Sequence, residues 1–215
     1  MNKAIGFIGL GIMGFPMAGH LSKHYKIRVF NRSPEKTKSW KNKYSGHECS
    51  SIKEISEESD ILFLCVGNDN DVREIISKKD GALEHLKAGS SIVDHTTTSA
   101  DLAIEMNNFL SSKSINYLDA PVSGGQAGAE SGQLSIMVGG KKEAYEELKG
   151  ILMAYSKFIK YMGESGSGQL TKMVNQICIA GLLQGLAEGI NFSEKAGLNS
   201  KDVLEVISKG AAQSW

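Results

Sequence analysis

The stretch Ile5-Gly6-Phe7-Ile8-Gly9-Leu10-Gly11-Ile12-Met13-Gly14-Phe15-Pro16-Met17 decides how the rest of the chain is read. Ala4 to Ile8 is an apolar run suited to a buried strand, Gly9-x-Gly11-x-x-Gly14 is a glycine turn, and Met17 to Leu21 has helical character. Strand, glycine turn and helix in that order form the context a dinucleotide-binding fingerprint requires. Gly9 permits the tight turn, Gly11 lets the backbone approach a pyrophosphate, and Gly14 lets helix and strand pack closely. Ile12 and Met13 sit between them, at the helix N-terminus on which the phosphates rest. In a chain with 24 glycines the bare pattern also arises by chance as a structural turn, so the flanking strand and helix carry the assignment.

Composition narrows the class. The 215 residues suffice for one large domain, or one and a half, with an ample core. Acidic and basic residues balance at 24 each, so no global field points toward nucleic acid or an anionic membrane. Cys49, Cys65 and Cys178 are widely spaced and odd in number, which argues against a disulfide framework and for a reducing compartment. His20, His24, His47 and His85 fall at no metal-ligand spacing, and no metal is expected. The first strand begins within a few residues of Met1, leaving no room for a targeting segment, and no uncharged apolar run is expected to span a bilayer. These features predict a cytoplasmic location.

Beyond the first helix, Ile27 to Phe30 reads as a second strand and Ser33-Pro34 as a helix start, with Ser51-x-x-Glu54 a capping box. Ile61 to Val66 is a continuous apolar run, as in a strand buried on both faces. Helices around 71–76, 100–110 and 141–154 alternate with strands near 90–93, 115–118 and 134–138. This alternation predicts an α/β fold of Rossmann type, a doubly wound and mostly parallel sheet. Ligands in such sheets lie beyond the carboxyl ends of the strands. The loops to read are therefore Gly9–Gly14, Asn31–Ser33, Val66–Asn70, Asp94–Thr98 and Asp119–Gln126. His95 lies in one of them, where holding the backbone is at least as good a reading as facing a ligand. Cys65 is most simply a small buried hydrophobe.

The glycine- and serine-rich run Gly163 to Gly168 marks a boundary, giving a nucleotide-binding domain over 1–163 and an all-α segment over 164–215. Gln169 to Lys195 lacks proline and is apolar on nearly every face, so it reads as a long interdomain helix buried between domains or subunits. Gly181, Gly185 and Gly189 recur every fourth residue along it. Two helices bury their own apolar surface poorly, so the second domain is expected to be incomplete, a truncated all-α domain.

Three groups carry chemistry. Asn31-Arg32 follows the second strand, where chains preferring NAD usually place a carboxylate for the ribose 2′-hydroxyl. A guanidinium there binds a 2′-phosphate bidentately, which predicts NADP over NAD; a solvated surface arginine is the alternative. Ser123-Gly124-Gly125 presents a hydroxyl and unobstructed backbone N–H groups, suited to a carboxylate or to a plain turn. Lys172 lies in the first turns of the apolar helix, with Asn175 and Gln176 at i+3 and i+4 on the same face. An ammonium there can give a carbonyl the proton that accompanies hydride delivery, although a lone helix lysine can also be a snorkelling surface charge.

Three motifs in order, Gly6–Gly14, Asp119-Ala120-Pro121-Val122-Ser123-Gly124-Gly125, and Gly166-x-Gly168 leading to Lys172-Met173-Val174-Asn175-Gln176, make the chain resemble the β-hydroxyacid dehydrogenase family over essentially its whole length. That family includes 3-hydroxyisobutyrate dehydrogenases and glyoxylate and succinic semialdehyde reductases. The resemblance implies that Ser123, Gly124 and Gly125 hold a substrate carboxylate, that Lys172 is the general acid/base, and that Asn175 or Gln176 orients substrate. It implies that Val66, Gly67 and Thr97 line the cofactor path, with Asn31, Arg32 and Ser33 as in NADP-preferring members. The implied reaction moves a hydride between NADP(H), or NAD, and a small 3-hydroxyacid or carboxylate-bearing aldehyde, in a homodimer or homotetramer built through the helical domain. Gln176 stands where many members have a second asparagine, and members continue past this end with further helices and a Lys-Asp segment closing over the cofactor. Two rivals are a 6-phosphogluconate-type decarboxylating dehydrogenase, which calls for a histidine after the lysine, and a non-catalytic dinucleotide-binding or dimerisation fragment. Imine reductases share the architecture but usually lack this lysine.

Overall fold

The computed structural model describes residues 3–213. β1 (Ile5–Ile8) enters the glycine turn and α1 (Gly14–Leu21) leaves it, followed by β2 (Ile27–Phe30), α2 (Pro34–Lys43), β3 (His47–Glu48) and α3 (Ile52–Glu57). β4 (Ile61–Leu64), α4 (Asp69–Ser77), α5 (Ala82–His85), β5 (Ser91–Asp94) and α6 (Ala100–Ser111) continue the alternation. Then come β6 (Asn116–Asp119), β7 (Val122–Ser123), α7 (Gly125–Ser131), β8 (Leu134–Gly140), α8 (Lys142–Leu152), β9 (Ser156–Gly163), α9 (Ser167–Lys195) and α10 (Ser200–Ile207).

Strands β3-β2-β1-β4-β5-β6 pair in that order, all parallel. Ile5 sits opposite Ile27 on one side and Ile61 on the other. β8 runs antiparallel to β6 and β7 and pairs in parallel with β9, so the sheet is mostly parallel, as expected. β1, β4 and β5 are buried at every position, because helices cover both faces and the side chains of each strand enter two cores in alternation. Phe7 and Phe63 stack in one, while Leu62, Leu64 and Ile92 enter the other. From β1 the chain goes to β2 on one side and later to β4 on the other. This reversal opens a crevice past their carboxyl ends.

Several local expectations are corrected. Pro34 opens α2, but the Ser33 hydroxyl makes no capping bond. Ser51 caps α3 by accepting the Glu54 N–H at 3.1 Å, whereas the Glu54 carboxylate returns to the Ser50 N–H at 2.7 Å, one residue off the expected box. The loop read as 119–126 contains β7 and the start of α7, and β9 was not expected at all. Helix α9 was expected to be buried, yet Val174, Ile177 and Leu183 are exposed, Ile177 to 70%, because no described part of the chain covers them. By length and composition α9 is also long and apolar enough to cross a membrane, against the expectation that no segment is.

The chain divides into two compact units between Lys172 and Met173, nine residues past the expected boundary at 163. The start of α9 stays with the first unit because the buried Asp119 carboxylate accepts the Gly166 N–H at 2.9 Å and the Gln169 N–H at 3.0 Å. Gly168 packs so closely there that a Cβ would lie 2.5 Å from the Asp119 carbonyl oxygen. The glycines read as a hinge therefore allow close docking. The second unit holds the remainder of α9 and α10, where Asn199 caps α10 by accepting the Lys201 N–H at 3.0 Å.

Candidate active site

The glycine turn is built as its spacing requires. Gly9 has φ +98°, a conformation side chains rarely adopt, and its N–H donates to the Phe30 carbonyl at 3.0 Å. A Cβ on Gly14 would lie 1.9 Å from the Gly9 carbonyl oxygen, so only glycine lets α1 start this close to the turn. A Cβ on Gly11 would meet nothing within 4 Å. The space above Gly11 is the open cleft itself.

A cavity of about 520 Å³ occupies that crevice. Of the expected cofactor residues, Gly9, Gly11, Asn31, Arg32, Ser33, Val66 and Gly67 line it. Ile12 is exposed and lines a neighbouring cavity, and Thr97 is exposed between the buried Thr96 and Thr98. Met13 is the N-cap of α1, and Gly14 is buried beneath the turn. Asn31 acts structurally, its Oδ1 accepting the Leu10 N–H at 2.8 Å and so tying the end of β2 to the turn. Thr96 does the same for the next loop, its hydroxyl oxygen accepting the Val66 N–H at 3.1 Å. An open glycine shelf at a helix N-terminus, an adjacent guanidinium and a cavity of this size fit a dinucleotide.

Lys36, Asp71 and Glu74 also line the cavity and were not anticipated. Asp71 faces Arg32, Oδ1 to Nη1 at 3.5 Å, while its Oδ2 accepts the Gly67 N–H at 3.2 Å. No carboxylate directly follows β2 in sequence, yet the site is not free of them, because Asp71 and Glu74 line the same cavity. The carboxylates arrive from α4, and nothing adjacent to Arg32 in sequence signals them.

The Lys172 ammonium donates to the Val122 carbonyl at 2.9 Å, the carbonyl that immediately precedes Ser123 in sequence. Lys172 is half-buried, and that burial lowers its pKa below the ordinary lysine range. Gly124 and Gly125 follow with φ +131° and +61°, both left-handed, and a Cβ on Gly125 would meet nothing within 4 Å. Asn175 and Gln176 lie in the second unit, where the Asn175 amide donates to Gln176 Oε1 at 3.0 Å. Beneath the site, His95 Nδ1 lies 2.6 Å from the Ala120 carbonyl oxygen and Nε2 lies 2.7 Å from the Tyr155 hydroxyl. His95 is thus a buried holder of backbone, with its pKa lowered to about 4 by desolvation.

A mostly parallel Rossmann sheet with a glycine shelf at a helix N-terminus and a cavity past its strand ends defines a dinucleotide-binding protein. Residues 4–163 match the NAD binding domain of 6-phosphogluconate dehydrogenase, and residues 166–215 match the NAD-binding domain of NADP-dependent 3-hydroxyisobutyrate dehydrogenase. An uncharacterized oxidoreductase of Shewanella frigidimarina is 50% identical over 98% of this chain and 73% of its own length. A probable 3-hydroxyisobutyrate dehydrogenase-like protein of Arabidopsis thaliana is 44% identical over 98% of this chain and 70% of its own. The structure of Mycobacterium tuberculosis 3-hydroxyisobutyrate dehydrogenase with L-serine superposes with a TM-score of 0.91 at 28% identity, covering all of this chain and 73% of that one. The chain belongs to the β-hydroxyacid dehydrogenase family and is an NAD(P)-dependent oxidoreductase of the 3-hydroxyisobutyrate dehydrogenase type. The second match covers the whole of α9.

Proposed function

We propose that the chain reduces a small carboxylate-bearing aldehyde, or oxidises the corresponding 3-hydroxyacid, with NADP(H) preferred over NAD(H) and Lys172 as the general acid/base. The contact between the Lys172 ammonium and the Val122 carbonyl carries this reading, because it sets a partly desolvated proton donor beside Ser123-Gly124-Gly125. In the reductive direction Lys172 Nζ gives its proton to the carbonyl oxygen as negative charge develops there; in the oxidative direction the neutral amine takes it back. Burial favours the neutral amine and so eases the release. Ser123 Oγ and the backbone N–H groups after it orient the substrate carboxylate, which turns the carbonyl toward Nζ. Asn175 or Gln176 keeps the substrate-orienting role the family pattern gives it. Gly9 to Gly14, Val66 and Gly67 hold the dinucleotide, and Arg32, with Lys36 on the same cavity wall, receives the 2′-phosphate. When bound, the cofactor supplies or takes up the hydride. The exposed apolar residues of α9 support assembly into a homodimer or homotetramer.

Steady-state NADPH and NADH oxidation with succinic semialdehyde, glyoxylate and tartronate semialdehyde tests this reading. Turnover with at least one aldehyde, faster with NADPH and abolished by Lys172→Ala, is the expected result. The 6-phosphogluconate-type reading draws on the match of the first domain. Met173-Val174-Asn175-Gln176 supplies no histidine after the lysine, and release of carbon dioxide from 6-phosphogluconate would favour that rival.

A further inference from the structure

Gln169 is wholly buried and stands one turn before Lys172 in α9. Its Oε1 accepts the Thr98 N–H at 3.1 Å, and its Nε2 donates to the Thr96 carbonyl at 2.7 Å. Its own N–H donates to Asp119 Oδ2 at 3.0 Å. The side-chain amide therefore spends its acceptor and one donor on the backbone of a single loop, the one that follows β5. That loop faces the cofactor side of the crevice, since the Thr96 hydroxyl accepts the Val66 N–H at 3.1 Å.

Asp119 alone would hold the first turn of α9, because it accepts the N–H groups of Gly166 and Gln169. Those two bonds converge on one carboxylate and act as a pivot. The Gln169 amide adds a second attachment, to a different strand end, and Lys172 adds a third at the Val122 carbonyl. The first two turns of the helix are thereby fastened to the end of β6, to the loop after β5 and to the start of β7. Only a primary amide of this length satisfies both partners in the 96–98 loop. A carboxylate sets like-charged oxygen against the Thr96 carbonyl, and an apolar side chain leaves a buried N–H and a buried carbonyl without partners.

We propose that Gln169 is a positioning residue for the reaction: it fixes the turn of α9 carrying Lys172 against the 96–98 loop, and so sets the acid/base relative to the cofactor-side wall of the site. This rests on Lys172 being the acid/base. Its test needs a readout independent of that assignment.

The comparison is between the parent chain, Gln169→Met, Gln169→Asn and Lys172→Ala. Three quantities are read: kcat against KM, NADP+ affinity, and the 13C NMR titration of the dimethylated Lys172 ammonium, assigned by its absence in Lys172→Ala. Gln169→Met is expected to keep NADP+ affinity within about threefold, to lower kcat by at least about tenfold with a smaller change in KM, and to move the Lys172 titration midpoint. Gln169→Asn keeps both amide groups but is one methylene short, so it carries the same expectation and decides the matter if Gln169→Met does not fold. A folded variant with both kcat and the Lys172 titration unchanged would overturn the proposal. If Lys172→Ala retains full activity, the acid/base assignment fails instead, and the NMR titration still decides whether Gln169 positions the lysine.

Discussion

Arg32 is 86% exposed at the mouth of the crevice and is held only loosely by Asp71. A charge-assisted bond to a 2′-phosphate contributes about 1.5–3 kcal/mol, and solvent screening at so exposed a site leaves the lower end of that range. Arg32→Ala is therefore expected to weaken NADP+ binding roughly tenfold while NAD+ binding barely moves, as measured by titration calorimetry. Asp71 competes with the phosphate for the same guanidinium. Asp71→Asn should tighten NADP+ binding about threefold at low ionic strength and less in high salt. Deeper in, His95 and Asp94 oppose one another as pH falls. Burial lowers the His95 pKa to about 4 and raises that of Asp94 to about 6. Unfolded His95 takes its proton near 6.5 and folded His95 only near 4, so its support of the fold is full above 6.5 and is lost on acidification to 4. Folded Asp94 takes its proton near 6 and unfolded Asp94 near 3.8, so the fold gains from it over nearly the same interval. Each effect is on the order of 3 kcal/mol, and the two contributions nearly cancel between pH 6.5 and 4. Asp94→Asn removes the compensating half. By urea denaturation, that variant should lose stability on acidification more steeply than the parent; equal slopes would contradict the assignment.

At the scale of elements, the two later glycines of the first turn separate fold from binding. Gly14→Ala drives a Cβ into the Gly9 carbonyl, which costs about 2–3 kcal/mol or more and shows as a lowered melting temperature. Gly11→Ala meets open space, so its melting temperature should hold while dinucleotide affinity falls, because the methyl group projects into the cleft. The β1–turn–α1 unit was legible because all its determinants are local: an apolar run, glycines at fixed spacing, then a helix. β9 was not, because Lys157-Phe158-Ile159-Lys160-Tyr161-Met162 alternates polar and apolar residues only in part and runs directly into the glycine-rich run 163–168. α7 was hidden for the opposite reason. Gly125-Gln126-Ala127-Gly128 has weak helix propensity, and its helix forms against α1 and β8, contacts that no local pattern encodes. Ser123 and Lys172, the proposed substrate-side residues, were legible as types in a pattern. Gln169 and Asp71 were not, since their importance comes from partners 71 and 39 residues distant, at Thr98 and Arg32.

For the whole molecule, the apolar exterior of α9 is the feature that sequence and structure describe differently. Apolar residues all round a helix imply burial. Here Val174, Ile177 and Leu183 meet solvent, and a second copy of the chain is the proposed cover. Sedimentation velocity should find a species larger than a 23.2 kDa monomer, and Ile177→Asp should shift it toward monomer without altering NADP+ affinity. A parent chain that stays monomeric at all concentrations would contradict the assembly. The family assignment stands apart from that outcome, because it rests on matches spanning both units. The central claim is the role of Lys172, tested most directly by NADPH consumption with the panel of carboxylate-bearing aldehydes in the parent chain and in Lys172→Ala, with NADP+ affinity measured in both. The account predicts loss of turnover by a factor of at least about a hundred with NADP+ affinity intact. Turnover in Lys172→Ala equal to that of the parent would contradict it.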